Sequence, residues 1–152
     1  MDTTIRQDLA AAYRLVAHYG WDDMVFTHLS ARVPGPDDHF LLNPYGFQFS
    51  EVTASNLVKV DLDGNVVLSN GYEVNAAGLT IHSAVHMARH DAAAVMHLHT
   101  DFGLAVPPIQ EGLLPITQHA LVVYHATPYH DWEGVALDLG DRERVVADLG
   151  CP

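Results

Sequence analysis

Turn residues divide the first half of the chain into short apolar runs, and this division restricts the fold more than any other feature. The runs occupy residues 28–33, 39–43, 57–62 and 65–69. Pro34-Gly35-Pro36 separates the first two runs, and Asp63-Gly64 separates the last two. An Asp-Gly pair between apolar runs is a strong hairpin signal, because glycine tolerates the positive φ of tight turns. The sequence therefore predicts two strand pairs before residue 70.

Apolar spacing and capping residues predict a helix before these strands. Apolar side chains recur at helical spacing from Ile5 to Val16. Thr4 and Gln7 fit a capping box at its start, and Gly20 fits its end. We therefore expect the chain to open with an amphipathic helix.

The second half of the chain alternates between predicted helices and strands. Asn75 can cap a helix over residues 76–89, and the apolar run 92–99 predicts a buried strand. Thr100 or Asp101 can cap a short helix, and residues 121–124 predict another strand. Asp141 can cap a last helix over residues 142–149, which Gly150 ends. This order predicts a single α/β domain over residues 1–152, with helices packed on a mixed sheet.

Composition and charge limit the classes of function. Apolar residues make up 49% of the chain and charged residues 17%, which is typical of a globular protein. Lys and Arg total 7 against 19 Asp and Glu, so the net charge of −12 disfavours nucleic acid and anionic membranes as partners. The single cysteine, Cys151, excludes an internal disulfide and fits a reducing cytoplasm. We expect a cytoplasmic protein, since neither a signal peptide nor an apolar run of roughly 20 residues occurs.

Eleven histidines are the most unusual part of the composition, and two of them form His97-Leu98-His99. Alternate side chains of a strand share a face, so both imidazoles are expected to point the same way. Such a pair can bind one divalent transition-metal ion, although catalytic sites generally use three protein ligands. The alternative is two histidines that alternate at a sheet edge without binding anything.

The other histidines leave their roles open at this point. His82 and His86 lie four residues apart and share one helix face, which fits either a site or ordinary helix packing. His119, His125 and His130 follow the Pro107-Pro108 break, and each could be a proton donor or a surface residue. Spacing alone does not choose between these interpretations.

Several blocks in the same order resemble the class II aldolase/adducin family, and specifically its adducin-like branch. They are His-Leu-Ser-Ala-Arg (28–32), Leu-Asn-Pro-Tyr-Gly (42–46), Ser-Asn-Leu-Val-Lys-Val-Asp (55–61), Asn-Ala-Ala-Gly (75–78), Ile-His-Ser-Ala-Val-His (81–86), Val-Met-His-Leu-His-Thr (95–100), Leu-Pro-Ile-Thr-Gln (114–118) and Tyr-His-Asp-Trp-Glu-Gly (129–134). The blocks span nearly the whole chain, so the resemblance is specific although each block alone is weak.

The resemblance implies an α/β/α sandwich with a mixed, mainly antiparallel central sheet, and usually a homotetramer. It also implies a divalent metal, most commonly zinc, with iron or manganese as alternatives. His97 and His99 match the metal-binding His-x-His pair of the family. Aldolases of the family act through an enediolate, and the metal serves as the Lewis acid for a small hydroxy-carbonyl substrate.

Three departures from the aldolase pattern affect the expected chemistry. The catalytic glutamate of the aldolases is replaced by Gly78, as in the adducin-like branch. Of the positions that hold a substrate phosphate, only Gly46 is kept, and the others carry Val25, His28, Ala76 and Ala77. A phosphorylated sugar is therefore not the expected substrate. The third metal histidine belongs to a later segment of the family pattern, and we expect the chain to stop before it.

The resemblance therefore assigns candidate roles to individual residues. His119 matches a catalytic tyrosine position, and His82 follows Gly78 by one helical turn, so both are candidate proton-transfer residues. The candidate substrate-binding residues are His28, Asn43, Gly46 and Gly78.

Three kinds of function fit these residues. The first is a metal-dependent lyase, or an oxygenase or decarboxylase on the same fold. The second is a non-catalytic assembly module like the adducin head, and the third is a fragment that works only within a longer protein. In each case we expect a homo-oligomer, because a sheet that lacks its last strands leaves an unpaired edge.

Overall fold

The computed structural model describes residues 2–35, 38–68 and 70–150. Pro36, Ser69 and Cys151, which entered the predictions, lie outside the described residues. The helices are α1 (Asp2–Tyr19), α2 (Ala76–Ala88), α3 (Asp101–Ala105), α4 (Gln118–Tyr124) and α5 (Arg142–Leu149). The strands are β1 (His28–Val33), β2 (His39–Leu42), β3 (Val58–Val60), β4 (Val66–Leu68) and β5 (Ala94–His97). Short 3-10 turns occur at Phe49–Glu51 and Leu139–Asp141.

The five described strands form one sheet in the order β4-β3-β2-β1-β5, and each neighbouring pair is antiparallel. Both predicted strand pairs are confirmed. In the β3–β4 hairpin Gly64 has a φ of +91°, and the side chain of Asp61 accepts hydrogen bonds from the backbone N–H groups of Asp63 and Asn65. The late strand β5 pairs with β1, which places His97 beside His28, the first residue of β1.

Strand β1 alternates between the two sides of the sheet, and its two faces have different chemistry. Leu29 and Val33 are buried in the core formed with α1. His28 and Ser30 point to the other side, where they meet α2, and both are also buried. The period of two therefore places an apolar face under one helix and a polar face under the other.

Helix α1 covers the apolar side of the sheet. Its residues Leu9, Tyr13 and Val16 pack with Leu41 of β2 and with Phe49. Helix α2 covers the opposite side, where a smaller apolar group forms around Phe40, Leu42, Val58 and Val60. The predicted α/β/α fold with a mainly antiparallel sheet is confirmed.

Both ends of α2 are fixed by side chains. Asn75 caps its start, as predicted, by accepting hydrogen bonds from the N–H groups of Ala77 (2.9 Å) and Gly78 (3.5 Å). At the other end the guanidinium of Arg32 donates to the carbonyl oxygens of His86 and Arg89. A cation at a helix C-terminus pairs with the negative end of the helix dipole and with carbonyls that lack partners within the helix. Helix α2 is therefore held firmly against β1.

Three details of the predicted elements are wrong, although the predicted bounds of the last helix, 142–149, are confirmed. Residues 121–124 lie in α4, because Thr117 accepts a hydrogen bond from the N–H of Ala120 and starts a helix there. Their valines suggested a strand, but the cap decides the local structure. Helix α1 begins at Asp2 rather than at Thr4, and the Asp141 carboxylate pairs with Arg144 instead of capping α5.

No helix within the described ranges has both the length and the apolar character needed to cross a membrane.

The hydroxyl of Tyr13 joins α1 to two strands inside the core. It accepts hydrogen bonds from the backbone N–H groups of Leu29 (2.8 Å) and Asn43 (3.2 Å). It also contacts the carbonyl of Leu29 and, at 2.9 Å, the Oδ1 atom of Asn43. Burial raises the pKa of Tyr13, so this hydroxyl stays neutral. The backbone N–H groups of Leu29 and Asn43 therefore share one acceptor, the hydroxyl oxygen of Tyr13, where α1 meets β1 and the end of β2.

We expect Tyr13→Phe to lower the free energy of unfolding by about 1 to 3 kcal/mol, because buried backbone groups lose their partner. Urea unfolding measures the change. Tyr19→Phe is the matched control, since Tyr19 is exposed, and it should change stability by less than about 0.5 kcal/mol. Equal effects of the two substitutions would contradict the role given to the Tyr13 hydroxyl.

Candidate functional site

His97 and His99 lie on one side of the sheet at the end of β5. His97 pairs in register with His28 of β1, and directly paired residues of an antiparallel sheet point to the same face. Leu98 turns the other way and packs on the core under α1. The ring centroids of His97 and His99 are 4.8 Å apart, with planes at 89°. The two imidazoles therefore lie close together, as the His-x-His spacing predicted.

Each of these imidazoles is held through its Nδ1 atom. The Nδ1 of His99 lies 2.9 Å from Oδ2 of Asp23, and the Nδ1 of His97 lies 3.2 Å from Nε2 of His28. No hydrogen bond among the described residues engages either Nε2 atom, so both are available to a ligand. An imidazole that binds a metal through one nitrogen typically donates its other N–H to a carboxylate or another acceptor. The arrangement therefore has the donor chemistry of two metal ligands with their supporting partners.

A buried row of hydrogen bonds continues from His97 into the protein. The Nδ1 of His28 lies 2.8 Å from Nε2 of His82, whose own Nδ1 lies 2.5 Å from the hydroxyl of Ser30. That hydroxyl lies 2.8 Å from Nε2 of His86. We call these five residues and His99 the histidine cluster. It joins β1, β5 and α2, and no local sequence pattern marks Ser30 as a member of the row or connects these residues.

Burial keeps most of the cluster uncharged. It is the largest cause that lowers the pKa of His28 to about 3, and the neighbouring His97 and His99 lower it further. Burial likewise lowers the pKa of His82 well below its ordinary value and that of His86 to about 4, and it also lowers the pKa of His97. Neutral imidazoles are the form that binds metal ions and the form that can both donate and accept a hydrogen bond.

Gly78 makes room for His28. A Cβ atom at position 78 would lie 2.9 Å from Cδ2 and 3.0 Å from Cγ of the His28 ring. That distance is shorter than normal carbon contacts, so a side chain at position 78 and the present position of His28 exclude each other. Two candidate substrate-binding residues, His28 and Gly78, are thus in direct contact.

The remaining candidates lie outside the cluster. Asn43 is buried against Tyr13, and Gly46 is exposed in the following turn with a φ of +87°. His119 is exposed on α4, and among the described residues no hydrogen bond or aromatic contact joins it to the cluster. His130 is also exposed and lies 2.5 Å from a carboxylate oxygen of Asp148. The structure therefore brings together His28, Gly78, His82, His97 and His99.

A third metal ligand is not assembled within the described part of the chain. No group of three or more His, Cys, Asp or Glu side chains in residues 2–35, 38–68 and 70–150 is arranged to hold an ion. A surface depression of about 530 Å³ between α2 and α5 contains none of the cluster. The two imidazoles with their partners are the strongest metal-binding feature that the described residues offer.

The close contact at Gly78 predicts that Gly78→Ala changes the stability of the protein in the direction opposite to the usual one. Gly→Ala inside a helix generally stabilises a protein by up to about 1 kcal/mol. We expect Gly78→Ala to destabilise it instead, by about 1 to 3 kcal/mol, because the methyl group overpacks the His28 ring. Urea unfolding measures the change. In the His28→Ala background the same substitution should cost much less, and an equal cost in both backgrounds would contradict the contact.

Comparison with known sequences supports the assignment of the fold. The profile of the family described as "Class II Aldolase and Adducin N-terminal domain" matches residues 7–151. A Caulobacter vibrioides protein with a provisional aldolase class 2 name is 66% identical over 145 residues, covering 95% of this chain and 56% of that protein. Alpha-adducin of Rattus norvegicus is 43% identical over 148 residues, covering 96% of this chain and 20% of that protein. The chain thus spans about half of the first relative.

Solved structures give the same result. An aldolase II superfamily protein from Pseudomonas syringae is 56% identical with a TM-score of 0.93, covering 98% of this chain and 60% of that chain. The L-fuculose 1-phosphate aldolase from Glaciozyma antarctica is 32% identical with a TM-score of 0.82, covering 97% and 57%. The chain belongs to the class II aldolase and adducin family.

Proposed function

We propose that this chain supplies two ligands of a divalent-metal site, His97 and His99, for an aldolase-like lyase. The observation that carries the proposal is the pair of adjacent imidazoles whose Nδ1 atoms are hydrogen-bonded, while no described residue hydrogen-bonds to either Nε2 atom. The residues fit a metal with nitrogen ligands, and zinc is proposed first, with iron or manganese as alternatives. When bound, the ion would supply Lewis-acid chemistry to a substrate carbonyl.

The substrate we propose is a small hydroxy-carbonyl compound without a phosphate group. Ala76 and Ala77 stand at the start of α2, where the family resemblance places phosphate-binding residues, and neither has a hydroxyl to donate. The net charge of −12 further disfavours a multiply charged anion away from the metal. Backbone N–H groups at the start of α2 are already used by the Asn75 cap.

Proton transfer in such a site would come from histidine, because Gly78 has no side chain. His82 is fully buried, and both of its ring nitrogens are hydrogen-bonded within the cluster. A proton from His82 would therefore reach a substrate only through His28. His119, the other candidate, is exposed on α4, so it would have to reach a bound substrate from that helix.

A non-catalytic assembly module is the second candidate function. Two observations favour it: the 43% identity to alpha-adducin and the absence of an acid/base side chain at Gly78. Metal affinity separates the two candidates, since an assembly module has no need of a metal with an open coordination position.

We also propose that the chain self-associates. Large apolar side chains are exposed beyond β5, among them Phe102 (87%), Val122 (79%) and Trp132 (83%). Exposed apolar patches and sheet edges commonly mark association surfaces. β5 forms an edge of the described sheet, and the part of the chain that carries these exposed apolar side chains follows β5 directly.

Metal titration tests the first proposal. We expect the purified chain to bind Zn²⁺ or Co²⁺ weakly, because two imidazoles are fewer than the three ligands usual in catalytic sites. The double substitution His97→Ala with His99→Ala should abolish binding, as measured by calorimetry and by Co²⁺ absorption. The control is His18→Ala with His90→Ala, which removes two exposed histidines outside the site and should leave binding unchanged. A folded chain that binds no metal would favour the assembly module.

Light scattering tests self-association. We expect a mass of at least twice the 16.6 kDa of one chain. Phe102→Glu with Val122→Glu should shift the population toward the monomer, because charges at an apolar interface lose their hydration. Leu15→Glu changes an exposed side chain on α1 and serves as the control. A monodisperse wild-type monomer at micromolar concentration would overturn the proposal.

A further inference from the structure

Asn70 is the one asparagine of this sequence that is followed by glycine. The others precede proline or a residue with a larger side chain, in the pairs Asn43-Pro44, Asn56-Leu57, Asn65-Val66 and Asn75-Ala76. The backbone nitrogen of the next residue can attack an asparagine side chain, and a side chain on that residue hinders the attack. Glycine has no Cβ and adopts many backbone conformations, so it hinders ring closure least. Position 70 therefore has the sequence in which an asparagine amide is lost most readily.

The fold leaves this pair at an open surface. Asn70 is exposed, and residues 70–75 belong to neither a helix nor a strand. Gly71 has a φ of +86°, and no described atom beyond its chain neighbours lies within 4 Å of the place where a Cβ would stand. The peptide between Asn70 and Gly71 therefore has room for the backbone rotation that ring closure requires.

The side chain of Asn70 is folded back toward the same peptide. The N–H of Tyr72 donates to Oδ1 of Asn70 at 3.4 Å. This contact closes an Asx turn around Gly71, which directs the carboxamide toward the Gly71 nitrogen. A donor on Oδ1 also stabilises the negative charge that this oxygen gains when Cγ is attacked. The turn therefore favours the reaction by position and by charge.

The nitrogen of the same carboxamide fastens the segment before α2 to the residues before β3. Nδ2 of Asn70 donates to the carbonyl oxygens of Asn56 and Leu57, at 3.1 Å each. Asn56 and Leu57 lie 14 and 13 positions earlier in the chain, so these are tertiary contacts. The group that leaves in the reaction is thus the group that holds the two segments together.

We propose that Asn70 is a site of spontaneous deamidation in the folded protein. The Gly71 nitrogen loses its proton to hydroxide and forms a bond to Cγ of Asn70. The Cγ–Nδ2 bond breaks, and Nδ2 takes a proton from water and leaves as ammonia, so that a succinimide remains. Water then adds to either carbonyl of this ring and opens it to aspartate or isoaspartate. Water is the only co-reactant, and nothing is oxidised or reduced.

The product cannot make the contacts that the amide makes. A carboxylate is an acceptor only, so it faces the carbonyl oxygens of Asn56 and Leu57 without a proton to donate. It also adds a negative charge to a chain that already carries −12. Isoaspartate further lengthens the main chain by one methylene. Deamidation therefore releases the segment that leads into α2 from the start of β3, and this modification is independent of the metal site proposed above.

Peptide mass spectrometry tests the site with an internal control. Trypsin cleaves after Lys59 and Arg89, and the peptide between them contains Asn65, Asn70 and Asn75. After incubation of the folded protein, we expect deamidation at Asn70 to be several-fold faster than at the other two positions. It should be faster at pH 9 than at pH 7, because more of the attacking nitrogen is deprotonated. Equal rates at the three positions, or deamidation only in protein unfolded by urea, would overturn the proposal.

Two substitutions test the reaction and its consequence separately. Asn70→Gln keeps a carboxamide but needs a larger ring, so position 70 should then keep its mass. Asn70→Asp reproduces one product and should lower the urea midpoint of unfolding. Gln110→Glu is the matched control, since Gln110 is exposed and the change adds the same charge without removing a described hydrogen bond. A reactive Asn70→Gln would contradict the succinimide route, and equal midpoints for the two acidic variants would contradict the fastening role of Nδ2.

Discussion

The rest of the structure depends on the burial of polar side chains between β1 and α2. His28, Ser30, His82 and His86 lie in the interior, where an unpaired polar group costs free energy and a charge costs more. They are tolerated because all of their polar side-chain atoms except Nδ1 of His86 are hydrogen-bonded within the described residues, and because the imidazoles stay neutral. Helix α2 must therefore keep one position along β1 and one rotation about its own axis. A shift of one residue would break the hydrogen bonds between the two elements.

The anchors at the two ends of α2 have the same consequence. Asn75 holds the start of the helix, and Arg32, which belongs to the polar face of β1, holds the carbonyls at its end. Arg32 also pairs with Asp38 at 2.7 Å, which orients the guanidinium. Strand β1 thus supplies hydrogen-bond partners for His82 and His86 of α2. Through Arg32 it also supplies the group that fixes the end of this helix. Since β5 pairs with β1 in register, the same strand also determines where His97 stands.

Much of this arrangement could be predicted from local sequence, and the limits have physical causes. The Asp63-Gly64 hairpin, the Asn75 cap and the shared face of His97 and His99 each follow from a few neighbouring residues. The strand predicted at residues 121–124 failed because Thr117 caps a helix that valines alone disfavour. The row through Ser30 joins residues more than 50 positions apart, so no local pattern contains it. The alternation of polar residues along β1 was the one available signal.

The absence of a side chain at Gly78 and the presence of a histidine at position 28 are a single structural feature. The His28 ring occupies the space that a Cβ at position 78 would need, at 2.9 Å. The glutamate that the family resemblance places there in aldolases could not coexist with the ring. Replacing Gly78 with glutamate alone would therefore not restore an aldolase, because His28 would be displaced and the support of His97 lost. Acid/base chemistry beside His97 in this chain would therefore have to come from the imidazole row rather than from a carboxylate at position 78.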